Sequence, residues 1–423
     1  MKRLHDFFFN PENQWTGGQY SLFRLIFGAY LLVHFAELIP WGAELFSNRG
    51  ALPEGAASPL LRAFPNILAL IDTPAFVTGM IMLGAVLSIL FIIGLSDRIA
   101  AVLMWYVLAC LSGRNPLIAN PSLPYVGLLL LAHACLPAAP YGSWARRKAS
   151  DPGTEWRLPQ SVYAVVWVLM ALGYSYSGYT KLISPSWVDG TAVERVLANP
   201  LARPGMMRDL MLLLPPFMLK LNTWGALLLE LLFAPLALSR RMRPIIWNLL
   251  LLMHLALIAL IDFADLSLGM VMLHLLTFDP AWIKPRTAAA GETIFYDGHC
   301  GLCHRAVRFI LAEDQQQRFH FAPLDSEAFR AAVSEAQRAA LPDSVMVKTA
   351  NGELLTRSSA VLYLMKRLGG AWRALAMLVS LIPEPLRDAA YDFIAGIRHR
   401  LFRVPDAACP VIPRHLHERF LSW

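Results

Sequence analysis

The chain has 423 residues, 56% of them hydrophobic and only 16% charged, whereas soluble domains carry about 25% charged residues. That balance excludes a protein built throughout on aqueous cores and places most of the chain in lipid. The net charge of +7 does not indicate a nucleic-acid partner, because the basic residues sit in short clusters between apolar runs, as in membrane-protein loops.

The long apolar runs end near residue 283 and a more polar pattern begins near Pro285. Two domains follow: 1–284, a polytopic α-helical membrane bundle, and 285–423, a small α/β domain with a C-terminal helical extension. The first ten residues lack a signal peptide's apolar core and cleavage site, so the first span is expected to direct insertion. A span needs roughly 17–25 apolar residues, which gives about eight: 21–39, 75–95, 98–113, 123–140, 161–180, 209–238, 244–262 and 266–283. The third follows the tight Ser96-Asp97-Arg98 turn. The sixth is interrupted by Lys220 and Asn222 and broken at Pro215-Pro216.

Basic clusters at Lys2-Arg3, Asp97-Arg98, Arg146-Arg147-Lys148, Arg240-Arg241-Met242-Arg243 and Lys284 with Arg286 occupy every second loop. Lys and Arg are retained on the cytoplasmic side. Both termini and the polar domain are therefore expected in the cytoplasm, under a bacterial inner membrane, with the lipid bilayer as the first partner.

Ionisable groups at membrane depth are costly and become functional candidates. They are Arg24, His34 and Glu37 in the first span, Lys181 after the fifth, Glu230 in the sixth, His254 in the seventh and His274 in the eighth. Plainer roles stand beside each: Arg24 and Lys181 can extend their charges to the interface, and a lone histidine is more often a satisfied core residue. His34 and Glu37 share a helix face but supply only two ligands, so no metal is expected.

The densest signal is Gly173-Tyr174-Ser175-Tyr176-Ser177-Gly178-Tyr179-Thr180-Lys181-Leu182, followed by Trp187 and Gly190. Small residues allow close helix packing, aromatics mark the interface, and a lysine against apolar walls has its charged form disfavoured. This stretch, with Leu22-Phe23-Arg24, Ile93-Gly94, Arg98, Glu230 and His254, resembles the vitamin K-dependent γ-carboxylase and its bacterial HTTM-domain relatives, over about 10–283. The resemblance implies that Lys181 is a base acting on a vitamin K-like hydroquinone, and that Trp187, Arg24, Glu230 and His254 surround a quinone or other lipidic substrate. Pro121 stands where the carboxylase has a histidine, and its large lumenal domain is missing, so glutamate carboxylation is not implied.

After Glu292 the pattern predicts strand 293–296, helix 300–313, strand 318–322, helix 327–340, strand 344–349, strand 353–356 and helix 359–368, with Asn351-Gly352 as a hairpin turn. That order matches a small thioredoxin-like α/β domain. Cys300 and Cys303 form a Cys-x-x-Cys pair opening the first helix, where the macrodipole favours a thiolate. Cys300, expected to be the more exposed, would attack and Cys303 would resolve the mixed disulfide; His299 and Arg305 add positive potential. Three other readings stand. Cys-x-x-Cys-His is also the c-type haem attachment spacing, which needs the outer compartment. A zinc site would have to draw on His299, His304 and Cys409, and the plainest reading is two cysteines buried as small apolar residues.

The segment Phe295-Tyr296-Asp297-Gly298-His299-Cys300-Gly301-Leu302-Cys303, with Ser358-Ser359-Ala360 and Cys409-Pro410, resembles the DCC family of thiol-disulfide oxidoreductases over about 292–415. The resemblance implies roles for Cys300 and Cys303 in catalysis, Asp297 at the substrate, and a thiol redox partner protein. Asp343-Ser344 stands directly before a strand where thioredoxin relatives carry a proline, with Pro342 one or two positions early. The function expected is a membrane oxidoreductase acting on a quinol or lipidic substrate with a cytoplasmic dithiol domain. The alternative is a non-enzymatic lipid- or peptide-binding or transport module with an appended redox sensor.

Overall fold

The computed structural model describes residues 15–55, 58–62, 64–118, 120–285, 291–402 and 413–421. Lys2, Arg3, Arg286 and Cys409 lie outside the described residues. The chain divides into two compact units, one holding residues 23–138 and 159–278, the other residues 15–22, 139–158 and the C-terminal part from 279.

The first unit is helical. Its long elements are Gly17–Leu38, which starts in the other unit, Pro74–Ile93, Asp97–Arg114, Leu123–Ala134, Gln160–Lys181, Met206–Leu212 with Pro216–Leu231, Arg243–Leu260 and Ala264–Thr277. Proline begins Pro74–Ile93, where its missing N–H costs nothing, and Gly94 ends it in the left-handed conformation with φ +70°.

Four of these helices are long and apolar enough to cross a membrane: Gly17–Leu38, Pro74–Ile93, Gln160–Lys181 and Arg243–Leu260. A fifth is added if Met206–Leu212 and Pro216–Leu231 count as one span broken by a 113° bend. The expected eight are not reached, for local reasons. Asp97–Arg114 carries Asp97, Arg98 and Arg114. Leu123–Ala134 has 12 residues and Ala264–Thr277 has 14, about 18 and 21 Å of helix against a hydrocarbon core of about 30 Å. Pro137 and Pro280 stop these two short of the predicted ends.

The second unit is built on a four-stranded sheet in the order β2-β1-β3-β4, with β1 Glu292–Tyr296, β2 Phe319–Pro323, β3 Met346–Lys348 and β4 Leu354–Thr356. β1 runs parallel to β2 and antiparallel to β3, and β3 is antiparallel to β4. β1 is buried along its whole length, and its side chains alternate between two cores. Ile294 and Tyr296 join Val307, Ile310, Phe321 and Leu364 on one face, while Phe295 joins Phe329, Val333 and Met346 on the other. Helix Gly301–Glu313 links β1 to β2, and Gly352 at φ +83° turns β3 into β4.

The helix predicted over 327–340 is two, Glu327–Ala332 and Glu335–Ala340. Val333 leaves helical geometry to enter the core, and Ser334 starts the second helix with a reciprocal capping box to Gln337. The C-terminal extension forms helices Gly370–Val379 and Glu384–Leu401. Leu421 N–H donates to Phe321 O at 2.9 Å, and Arg419 binds Asp314 and the Phe319 carbonyl, covering the open edge of β2.

Candidate redox site

At the end of β1 the chain makes a turn held by its own polar groups. Asp297 Oδ1 accepts the His299 N–H at 2.8 Å and Asp297 O accepts the Cys300 N–H at 3.3 Å. His304 Nε2 donates to Gly298 O at 2.9 Å from the first helical turn. Cys300 is thereby set at the N-cap of helix Gly301–Glu313, extended at φ −109° and ψ 116°, with its Sγ accepting the Cys303 N–H at 3.4 Å. A sulfur placed there completes a backbone group that the helix leaves unpaired.

The two thiols are driven apart in acidity. Cys300 is pulled down to about 6, chiefly by the Cys303 thiol donating to its sulfur; burial opposes the shift, and the Cys303 N–H and the Arg398 guanidinium assist it. Cys303 is pushed up, mainly because its proton is held against the Cys300 sulfur. The expectation that Cys300 is the more exposed is corrected: Cys300 is fully buried and Cys303 half-buried. The more acidic sulfur is the less accessible one.

The cationic neighbour is also not the one expected. Exposed His299 faces exposed Asp325 at 3.9 Å, and Arg305 lies over the Phe402 ring at 4.9 Å. The charge beside the thiols comes instead from buried Arg398 on helix Glu384–Leu401, a residue that sequence reasoning missed. Its Nη2 meets Asp343 Oδ1 at 2.6 Å and Asp297 Oδ2 at 3.5 Å, and its Nη1 donates to Asp343 O at 3.3 Å. Asp343 and Asp297 are thus joined through one guanidinium. The same helix is fixed by Val345 N–H donating to the Tyr391 hydroxyl at 2.9 Å and by Ser358 and Ser359 bonding Asp388 and Glu384.

Residues 294–404 match the DCC1-like family, described as a DCC1-like thiol-disulfide oxidoreductase. The uncharacterized protein YuxK of Bacillus subtilis is 30% identical over 130 residues, 31% of this chain and 93% of the relative. The chain belongs, through this domain, to the DCC1-like thiol-disulfide oxidoreductase family. A chloroplastic DCC family protein of Arabidopsis thaliana is 28% identical over 130 residues, covering 30% of this chain and 76% of that protein. The uncharacterized protein YitO of Bacillus subtilis is 28% identical over 207 residues, 45% of this chain and 64% of its own length. No solved structure matches the chain. The DCC family match begins after the apolar helices and takes in Asp297, both cysteines, Asp343 and Arg398.

Outside the DCC domain, the bundle brings together three of its predicted residues. Lys181, the last residue of helix Gln160–Lys181, pairs with the Glu230 carboxylate, donates to Ser177 Oγ at 3.0 Å, and lies 4.8 Å from the Trp187 ring centroid. Gly178 permits this approach, since a Cβ there would sit 2.3 Å from Leu231 N. Further along the same helix the Tyr174 ring lies 5.8 Å from the His254 ring, tilted 40° to it, and its hydroxyl meets His274 Nε2 at 2.8 Å. Arg24 is engaged elsewhere in this unit: fully buried rather than reaching for an interface, it meets Asp97 at 3.2 Å, with His133 3.6 Å from the same carboxylate. Among the described residues no group of three or more His, Cys, Asp or Glu side chains is placed to hold a metal ion.

Proposed function

We propose that the protein is a membrane-held thiol-disulfide oxidoreductase in which Cys300 is the attacking thiolate and Cys303 the resolving thiol. The observation that carries this reading is the position of Cys300 at a helix N-cap, with its sulfur accepting the Cys303 N–H, an arrangement that favours negative charge on sulfur. In the reducing direction Cys300 attacks one sulfur of a partner protein's disulfide, which breaks and releases a partner thiolate that takes a proton from water. Cys303 then loses its proton and attacks the Cys300 sulfur, closing the Cys300–Cys303 disulfide and freeing the second partner thiol. Two electrons pass to the partner; the same steps reversed oxidise a dithiol.

The order β2-β1-β3-β4, with β3 antiparallel to its neighbours and the dithiol after β1, supports a thioredoxin-like reading of the DCC domain. Cytoplasmic placement at a bacterial inner membrane is supported by the make-up of the second unit. It gathers residues 15–22, the 139–158 loop with Arg146, Arg147 and Lys148, and the DCC domain, segments that the positive-inside rule assigns to one side. His304, whose Nε2 is committed to Gly298 O, favours thiol chemistry over haem attachment. Trapping tests the assignment: Cys303→Ser should accumulate a mixed disulfide with a partner protein and Cys300→Ser should not. Loading of the Cys300→Ser variant alone would reverse the roles.

A second reading, chemistry on a quinol or lipidic substrate within the bundle, rests on the convergence of Lys181, Glu230 and Trp187. A base role would require Lys181 to part from Glu230 as substrate enters. Purified Lys181→Ala protein oxidising quinol as fast as the parent would remove this reading and leave the dithiol chemistry intact.

A further inference from the structure

A separate cavity of 560 Å³ lies in the helical unit, lined among others by Tyr30, Val33, His34, Leu111 and Leu268. Most of its wall is hydrocarbon; Glu37, Asn115 and the Arg203–Asp262 ion pair add polar groups, and one corner is built as an acid–base device. His34 Nδ1 lies 3.2 Å from Asp265 Oδ1. Asp265 Oδ2 accepts the Asn120 amide at 2.5 Å, and Asn120 Oδ1 in turn accepts both the Ser122 N–H and the Ser122 hydroxyl at 2.9 Å. A carboxylate can only accept, so His34 Nδ1 donates the proton and the other ring nitrogen, Nε2, is the acceptor of the uncharged ring. His34 lines the cavity, and among the described residues no hydrogen bond to its Nε2 is present.

An imidazole oriented by a carboxylate that is itself oriented by an amide is the arrangement used where a hydroxyl proton must be met in a fixed direction. A helix-to-helix tie would need only one such bond. Here three elements, helix Gly17–Leu38, the segment before helix Leu123–Ala134 and the start of helix Ala264–Thr277, are tied together around one ring that borders the cavity. We propose that this cavity binds an amphipathic molecule, its alcohol or phenol hydroxyl donating to His34 Nε2 and its apolar body lying along Val33, Leu111 and Leu268. Concave apolar sites with a few convergent polar groups are the usual form of small-molecule sites. The polar group fixes orientation, and the hydroxyl-free analogue is disfavoured because the acceptor is then left unpaired.

The test uses the full chain in nanodiscs and two photoreactive probes, octylphenol with a diazirine at the chain end and its methyl ether, which partition similarly into lipid. The phenol should label the helices bearing His34 and Asp265 about fivefold to tenfold more than the ether, the range expected for one hydrogen bond. His34→Phe should equalise the two, and Leu111→Trp, which fills the cavity and keeps His34, should abolish labelling by both. Equal labelling by phenol and ether in the parent protein, or undiminished labelling in Leu111→Trp, would overturn the proposal. If His34→Phe does not fold, Leu111→Trp decides alone. Competition by decanol assigns the site to aliphatic alcohols, and its absence assigns the site to phenols.

Discussion

The dithiol turn concentrates its chemistry in a few atoms, and each can be removed singly. With Cys300 pulled down to about 6, its alkylation rate should rise with pH through that value and be flat at neutral pH; an ordinary cysteine would still be climbing toward about 8.5. In Cys303→Ala the strongest cause, the donating thiol, is gone, so the midpoint should move upward, as followed by the thiolate's ultraviolet absorbance. Arg398→Met should move it the same way, since removing a nearby positive charge disfavours the thiolate. An unmoved midpoint in Arg398→Met would show that the guanidinium serves only to join Asp297 and Asp343. The cysteines were legible in the sequence because Cys-x-x-Cys at a strand-to-helix turn is a local pattern. Arg398 was not, because it lies 101 positions from Asp297 on a helix whose pattern says only that it is amphipathic. Lys181 and Glu230 were each visible through the cost of charge at membrane depth, but their pairing across 49 positions was not.

Helix Gly301–Glu313 carries Cys300 at one end and, at the other, a carboxylate that organises its surroundings. Buried Glu313 accepts the Gly18 N–H at 2.8 Å, the Trp372 indole N–H at 2.5 Å and the Thr16 hydroxyl. Burial pushes the pKa of the Glu313 carboxyl up, and these donors work against that shift. Glu313→Ala would strand the three donors, at about 1–3 kcal/mol for each left without a partner. The expected result is a lower thermal unfolding midpoint and faster hydrogen exchange along the dithiol helix. Gly18→Ala should act in the same direction, because its Cβ would lie 2.5 Å from Glu313 Oε1. Strands β1 to β4 were readable from alternation and the Asn351-Gly352 turn. The break at Val333-Ser334 and the short helices Leu123–Ala134 and Ala264–Thr277 were not, because hydropathy marks an apolar run without marking where capping serines and prolines interrupt it.

At the scale of the whole chain, the division read from composition near residue 285 is not the division by contacts. The unit holding the DCC domain also contains residues 15–22 and 139–158, short polar and aromatic stretches whose long-range partners leave no periodic trace. YuxK shows that nearly a whole protein can consist of the matched region. In this chain, however, Arg308 bonds the carbonyls of Ala149 and Ser150, and Tyr141 bonds the carbonyl of Arg305. A fragment of residues 291–423 is therefore expected to be less stable than the same domain in the full chain, with Cys300 more readily alkylated under native conditions. Equal protection of Cys300 in fragment and full chain would show the added segments to be dispensable.

The Gly18–Glu313 bond also sets an order of events during synthesis. Trp15 and Tyr20 are buried, Tyr20 stacked 5.3 Å from Trp156, yet the carboxylate that completes their setting is translated 295 residues later. Until the ribosome has passed the dithiol helix, the nascent chain carries an unfinished aromatic seam at its beginning. A polypeptide arrested before that point should be recognised by quality-control proteases through this seam, even when its spans are already in the bilayer.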